Sequence, residues 1–336
     1  MTRNAPFQWP IRSSSSGGRR HLLDLDDFDR AEIEQYLATA EAMREILRRA
    51  TPKTPALTGR TIVNLFLEDS TRTRVSFEIA GKRLNADVVN MTGSGSSVQK
   101  GESLVNTVRT LEAAGADVIV LRHPASGAAH LAAAQVHGSV INAGDGLHAH
   151  PTQALLDLLT IRDAFGTIAE LRVVIVGDVL HSRVARSNLW GLTTMGADVT
   201  VCGPPTLLPR ELPIGLPPVR VEHHLDRAIE GADVVMALRL QRERMTAGRL
   251  PSLREYSRLY QINDARLERA RPNVLVLHPG PMNEGIEIDT ATAHGRRSAI
   301  EDQVTNGVAV RMAVLHLLTG GSAVSNGVEP AGARRG

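Results

Sequence analysis

The sequence predicts an α/β protein of two doubly wound parallel-sheet domains linked by helices, with a site in the cleft between them. Three observations carry this. Short, continuously apolar runs rich in Val and Ile alternate with amphipathic stretches, the pattern of buried parallel strands joined by crossover helices. The 336 residues correspond to about two domains at roughly 150 residues each. Two further helical stretches, at residues 29–49 and 303–318, stand outside the alternation, as helices that tie domains together do.

In chain order, strands are expected at residues 61–67, 87–91, 117–121, 140–142, 172–176, 198–202, 233–237 and 274–277. Helices are expected between them at 71–84, 103–113, 152–164 and 183–195, with weaker ones near Leu131 and Arg227. Eight strands also allow a single barrel, the alternative architecture. The last helix carries an apolar stripe through Val304, Val308, Met312 and Leu315, spaced for one buried face. Residues 203–218 hold six prolines and read as a loop. Residues 239–258 are densely charged and follow a strand, the pattern of a surface loop that meets ligands. The first 23 residues hold four arginines and a serine run, with no acid before Asp24. That composition is transit-peptide-like, but it lacks an apolar segment and an amphipathic stripe, so a disordered tail is the reading. The expected division is a tail at 1–20, a first domain at 21–152, a second at 153–302, a helix at 303–319 packing back on the first domain, and a loose end at 320–336.

Composition excludes several functions. Apolar residues make up 42% and charged residues 22%, a globular balance. The 5 Phe, 3 Tyr and 2 Trp are too few for a base-stacking surface. A net charge of +2 without long like-charge blocks gives no nucleic-acid footprint. No apolar run nears the roughly 18 residues of a membrane span. The single cysteine, Cys202, rules out an internal disulfide and a Cys-based metal cluster. No metal and no cofactor is expected, and the cytoplasm is the expected location.

The chemistry sits where strands end, which is where open α/β sheets bind ligands. Ser70-Thr71-Arg72-Thr73-Arg74 follows the first strand and opens a helix. A helix N-terminus with hydroxyls and arginines suits a dianionic phosphate. Arg72 and Arg74 cannot share one helix face, so one is for the ligand and the other structural. The glycine–serine loop at 93–103 carries Lys100 but not the Walker spacing. It is either a closing loop or a solvated linker. Arg122-His123-Pro124 ends the third strand. His148-Ala149-His150-Pro151 precedes a helix, which lets His150 aim a donor at a carbonyl oxygen. Its His-x-His pattern lacks further ligands at metal spacing. The strand at 172–176 leads into Gly177-Asp178, with one glycine where a dinucleotide fingerprint needs three. A nicotinamide enzyme is thus disfavoured. Arg183 opens the next helix as a candidate carboxylate binder. Arg239 and Gln241 alternate as on an extended segment facing one pocket. His278-Pro279-Gly280-Pro281 forms a rigid turn whose carbonyls suit an amide-bearing ligand. This inventory describes a cationic pocket for polyanionic substrates, without an obvious nucleophile.

From about His21 to Leu318 the chain resembles the transcarbamoylase family. The resemblance rests on Phe66-Leu67-Glu68-Asp69-Ser70-Thr71-Arg72-Thr73-Arg74, Ser96 with Lys100-Gly101-Glu102, Arg122-His123-Pro124, His150-Pro151-Thr152-Gln153, Gly177-Asp178 with Arg183, Arg239-Leu240-Gln241, and His278-Pro279-Gly280-Pro281. It implies transfer of the carbamoyl group of carbamoyl phosphate to the amine of L-aspartate, an early step of pyrimidine biosynthesis. Ser70, Thr71, Arg72 and Thr73 would hold the phosphate. Arg122, His150 and Thr73 would polarise the carbonyl. Gln153 and the carbonyls of Gly280 and Pro281 would hold the carbamoyl amide. Arg183, Arg239 and Gln241 would clamp aspartate. Ser96 and Lys100 would enter from a neighbouring subunit, giving a homotrimer with shared active sites, alone or with dihydroorotase or regulatory chains. Relatives acting on ornithine typically show His-Pro-Cys-Gln and His-Cys-Leu-Pro, where this chain has His-Pro-Thr-Gln and His-Pro-Gly-Pro. The remaining alternative is a silent scaffold for dihydroorotase, which should have lost pocket residues. Glu284 departs from the family, several members of which carry a basic residue there.

Overall fold

The computed structural model describes residues 18–93, 102–208, 216–241 and 252–320. After α1 (Arg30–Leu47), capped by the Asp29 carboxylate, the first half alternates β1 (Thr61–Phe66), α2 (Thr71–Arg83), β2 (Asp87–Thr92), α3 (Leu104–Ala113), β3 (Val118–His123), α4 (Ala128–Ala133), β4 (Ser139–Asp145) and α5 (Pro151–Phe165). The second half runs β5 (Arg172–Val176), α6 (Arg183–Thr194), β6 (Asp198–Cys202), β7 (Arg220–Glu222), α7 (Leu225–Ala228), β8 (Val234–Ala237), α8 (Leu253–Tyr260), α9 (Asp264–Leu267), β9 (Leu275–Leu277), α10 (Thr290–Ala293) and α11 (Ile300–Leu318).

The strands form two open, wholly parallel sheets, ordered β2-β1-β3-β4 and β7-β6-β5-β8-β9. This is the two-sheet architecture and not the barrel. Each order reverses beside its first strand, so each sheet opens a crevice at its carboxyl edge. Helix α5 touches both sheets, at β4 of the first and β9 of the second. That helix is buried from Pro151 through Ile161, because it separates the sheets and has no solvent face. Helix α11 packs on α1, α2 and α5. The boundary expected at 152/153 falls inside α5.

Four expectations change. Strand β7 was not foreseen: three mostly exposed edge residues carry no apolar run. Residues 239–258 are not all loop, since Ser252 caps α8. Dense charge hid the buried i,i+4 pair Tyr256 and Tyr260 that seats that helix; residues 242–251 lie outside the described part. Of the expected stripe on α11, Met312 and Leu315 are buried but Val304 is 62% exposed, because the first turns of the helix bury Gln303, Asn306 and Gly307. The expected tail at 1–20 is too long at its end. The Arg19 guanidinium stacks 3.8 Å above the Phe28 ring and pairs with Asp27 at 2.8 Å and Glu32 at 2.5 Å. Residues 1–17 and 321–336 lie outside the described residues.

Candidate active site

The cleft is assembled from loops at strand ends. Ser70 occupies the N-cap of α2 in extended conformation, but its hydroxyl makes no capping bond. The first bond from the helix back to its cap runs from Arg74 N–H to Ser70 O at 3.2 Å, so the earlier N–H groups have no partner within the helix. The Leu67 N–H bonds Arg122 O at 2.8 Å. That bond sets the end of β3 against the start of α2 and brings Arg122 to the same place.

At the end of β4, the buried Asp145 carboxylate accepts from Asn142 Nδ2 at 2.8 Å, Gly127 N–H at 2.7 Å and Ala149 N–H at 3.1 Å. These bonds fix the loop that delivers His150 to the N-cap of α5. The His150 N–H donates to Ser187 Oγ at 2.9 Å, and Ser187 donates to Asp24 at 3.1 Å. Burial pushes the Asp24 carboxyl up to about 7. The His150 ring is buried and its Nδ1 makes no hydrogen bond. Burial, then the charges of Arg122, Arg183 and Arg311, hold its pKa well below the usual 6.5. It is a neutral imidazole, suited to hydrogen bonding rather than to carrying charge.

From the second sheet, Ser182 caps α6 by accepting the Ala185 N–H at 3.1 Å, and Arg183 at its start is buried. Arg183 reaches across to Glu68, donating at 2.5 and 3.1 Å, and to Gly146 O at 3.3 Å. Glu68 also accepts from Arg122 Nη2 at 2.8 Å. One carboxylate thus bridges an arginine from each sheet. Arg239 and Gln241 follow β8, and the His278–Pro281 turn follows β9. At Gly280 (φ +62), a Cβ would stand 3.0 Å from the Arg72 guanidinium carbon; a side chain there would press on Arg72.

Together these elements enclose a cavity of about 590 Å³. Of the residues singled out in the sequence, Ser70, Arg72, Thr73, Arg122, His150, Gln153, Arg183, Arg239, Gln241 and Gly280 line it. Thr71 and Pro281 are not among the lining residues; Thr71 is exposed at the first position of α2. Ser96 and Lys100 lie outside the described residues. Burial, then the charge of Arg239, lowers the pKa of Arg72: two cations share the space.

The sequence reading missed Glu68, which it quoted without a role; its signal was a lone acid beside a cluster of arginines. It also missed Arg311 on α11, which lines the cavity from 235 residues away in sequence, donating to Ser76 Oγ at 3.0 Å. Burial lowers the pKa of Arg311 to about 10. Nothing in local sequence marks it. Among the described residues no helix is long and apolar enough to cross a membrane, and no group of three or more His, Cys, Asp or Glu is arranged to hold a metal ion.

Comparison with known proteins adds the following. Residues 20–163 match the family profile described as aspartate/ornithine carbamoyltransferase, carbamoyl-P binding domain, and residues 169–318 match that of the Asp/Orn binding domain. The chain is 62% identical over 304 residues to the aspartate carbamoyltransferase catalytic subunit of Roseiflexus sp. (strain RS-1), covering 90% of this chain and 96% of that one. It superposes on the aspartate transcarbamoylase of Trypanosoma cruzi in complex with N-(phosphonacetyl)-L-aspartic acid, with a TM-score of 0.80 at 33% identity, covering 90% of this chain and 96% of the other. It also superposes on the ornithine carbamoyltransferase of Pyrococcus furiosus, with a TM-score of 0.80 at 29% identity, covering 92% and 100%.

Proposed function

Because the chain belongs to the aspartate/ornithine carbamoyltransferase family, we propose that its cleft transfers the carbamoyl group of carbamoyl phosphate to the amine of L-aspartate, giving N-carbamoyl-L-aspartate and phosphate. The observation that carries this reading is one cavity lined by Arg72, Arg122 and His150 from the first sheet and by Arg183, Arg239 and Gln241 from the second. A doubly anionic amino acid needs cations on the second side, and a cationic one such as ornithine does not. The 62% identity to a relative named for aspartate favours the same substrate.

The mechanism follows from charge and position. Ser70, Thr71, Arg72 and Thr73 hold the phosphate at the N-terminus of α2, where unsatisfied N–H groups and the helix dipole favour an anion. Arg122, neutral His150 and Thr73 face the carbonyl oxygen and stabilise the charge that develops on it. Gln153 and the carbonyls of Gly280 and Pro281 take the carbamoyl NH2. Arg183, Arg239 and Gln241 hold the aspartate carboxylates; Arg183 exchanges the Glu68 carboxylate for one of the substrate's. The amine lone pair attacks the carbonyl carbon, the C–N bond forms, and the C–O bond to phosphate breaks. The nitrogen gives its proton to the phosphate as it leaves. The protein's part is positioning and electrostatic stabilisation, with no covalent intermediate.

In this reading the first domain, residues 21–152, binds carbamoyl phosphate and the second, 153–302, binds aspartate. Ser96 and Lys100 act in the site of a neighbouring subunit in a cytoplasmic homotrimer, free or joined to dihydroorotase or regulatory chains. The test is product formation by the purified chain with carbamoyl phosphate and either aspartate or ornithine. Carbamoyl-aspartate formed, and formed at least tenfold more slowly by Arg72→Ala, is the expected result. Turnover with ornithine alone, or none with either amine and added dihydroorotase, would refute the proposal. For the shared site, mixing the impaired Arg72→Ala and Lys100→Ala chains should raise activity above that of either alone, since a hybrid trimer contains an intact site.

A further inference from the structure

Asp157 is fully buried on α5, one turn beyond Gln153. Its carboxylate receives three side-chain amides. Gln153 Nε2 donates at 2.9 Å and Gln303 Nε2 at 2.6 Å, both to Oδ1, and Asn188 Nδ2 donates at 2.8 Å to Oδ2. The three amides come from α5, α11 and α6. The Gln303 carbonyl in turn accepts the His278 N–H at 2.9 Å, where β9 runs into the turn that holds Gly280.

An ionised carboxylate can only accept hydrogen bonds, whereas an amide presents a donor at one end and an acceptor at the other. A carboxylate at the hub therefore decides which way each amide faces. The Gln153 NH2 is committed to Asp157, so its carbonyl oxygen is the end left for the cleft that Gln153 lines. The Gln303 NH2 is committed in the same way, which leaves its carbonyl for the His278 N–H. A buried acid surrounded by neutral amides is costly to keep. Burial raises its pKa to about 6, a shift that the three amide hydrogen bonds, and then Arg311, offset in part; at pH near 8 it is ionised and accepts from all three.

We infer that Asp157 is a positioning residue that sets the hydrogen-bond polarity of the acyl end of the cleft. By orienting Gln153 as an acceptor, and by tying the His278–Gly280 turn through Gln303, it makes the site select an acyl phosphate whose carbonyl carbon bears an NH2 over one bearing a methyl. The inference rests on the function proposed above.

The test compares wild type with Asp157→Asn at pH near 8. Dissociation constants are measured by calorimetry for carbamoyl phosphate, for acetyl phosphate (methyl in place of NH2) and for inorganic phosphate. In this variant an NH2 in the place of Oδ1 faces both Gln153 and Gln303 as a donor, so Gln153 turns its own NH2 to the cleft. The preference for carbamoyl over acetyl phosphate is then expected to fall by about tenfold, the value of one buried hydrogen bond, with the inorganic phosphate constant within twofold of wild type. A purely structural role would weaken all three ligands alike, and that result, or an unchanged preference, overturns the inference. The exchange Asp157→Asn with Gln153→Glu keeps the charge of the cluster and restores an acceptor toward the cleft, so it should regain the preference. If the single variant does not fold, the exchanged pair alone decides: a wild-type preference supports the inference and a preference near unity overturns it. Wild type that binds neither acyl phosphate would refute the proposed function, and the inference with it, a result distinct from an unchanged preference in a working enzyme.

Discussion

Replacing Gly144 by alanine tests how the arginines of the cleft are held. Gly144 lies in β4 at φ +114, a conformation that L side chains rarely adopt. A Cβ there would stand 2.9 Å from the Arg183 guanidinium carbon, 2.9 Å from its Nε and 3.0 Å from Arg122 Nη1. One methyl group thus meets an arginine from each sheet. Neither side chain yields freely. Arg122 is tied to Ala143 O at 3.1 Å and to Glu68 at 2.8 Å, and Arg183 to Glu68 and to Gly146 O.

Two separable effects follow. The strained backbone costs about 1–3 kcal/mol, which at about 2 °C per kcal/mol lowers Tm by about 2–6 °C. Moving both guanidinium groups outward to ordinary contact shifts them by several tenths of an ångström to about 1 Å, a misplacement that costs about a hundredfold in rate. The assay is steady-state kcat/KM for both substrates beside a thermal melt. Gly59→Ala is the control: Gly59 has φ +79 with nothing within 4 Å of its Cβ position, so it bears the strain without the collision. Gly144→Ala should lose about a hundredfold in kcat/KM while Gly59→Ala loses only stability. Equal activity losses, or kcat/KM in Gly144→Ala within threefold of wild type, would refute the reasoning.

Three further outcomes are expected. Arg72→Ala should lose about 10- to 100-fold in kcat/KM for carbamoyl phosphate, the value of charge-assisted bonds, yet melt no lower than wild type by calorimetry, because Arg72 is a surface-exposed cation repelled by Arg239. Glu68→Gln should melt lower, by about 1–3 kcal/mol of lost charge-assisted bonding, and bind inorganic phosphate more tightly by calorimetry, because the carboxylate that holds Arg122 is gone. The melting temperature should respond to pH in two opposing ways between 7 and 4. His150 stays neutral far below 6.5, and His21, lowered to about 4 by burial and by Arg20, does likewise; the unfolded chain takes up those protons first, so falling pH destabilises the fold. Asp157, raised to about 6, and Asp24, raised to about 7, are protonated in the fold before the unfolded chain, so falling pH stabilises it through them. Asp157→Asn removes one stabilising uptake, so its melting temperature should fall more steeply than wild type between pH 6 and 4, and parallel curves would contradict the assignment.

Much of the fold was legible because its signals are local. The apolar runs of β1, β3, β5 and β8 are buried on both faces and read as continuous stretches, while a three-residue edge strand such as β7 carries no such pattern. Helix α8 was hidden because its seat is two tyrosines among charges, a tertiary anchor without an apolar stripe. The Ser70–Arg74 segment, His150, Arg183 and Arg239 were legible because each stands at a strand end beside a helix start or an irregular turn, where local geometry already limits what a side chain can reach.

What the sequence by itself determined is the kind of site: strand-end arginines, hydroxyls and a proline-bounded histidine in an order that places them at the crevices of two parallel sheets. What only the tertiary structure decided is how those charges are governed. Glu68 bridging Arg122 and Arg183, Arg311 entering from the last helix, and Asp157 orienting three amides from three helices all join residues far apart in the chain. Their effects arise from desolvation and from angstrom-scale hydrogen-bond geometry. Both exist only once the two sheets have closed on α5, so neither leaves a periodicity or a spacing for the sequence to show.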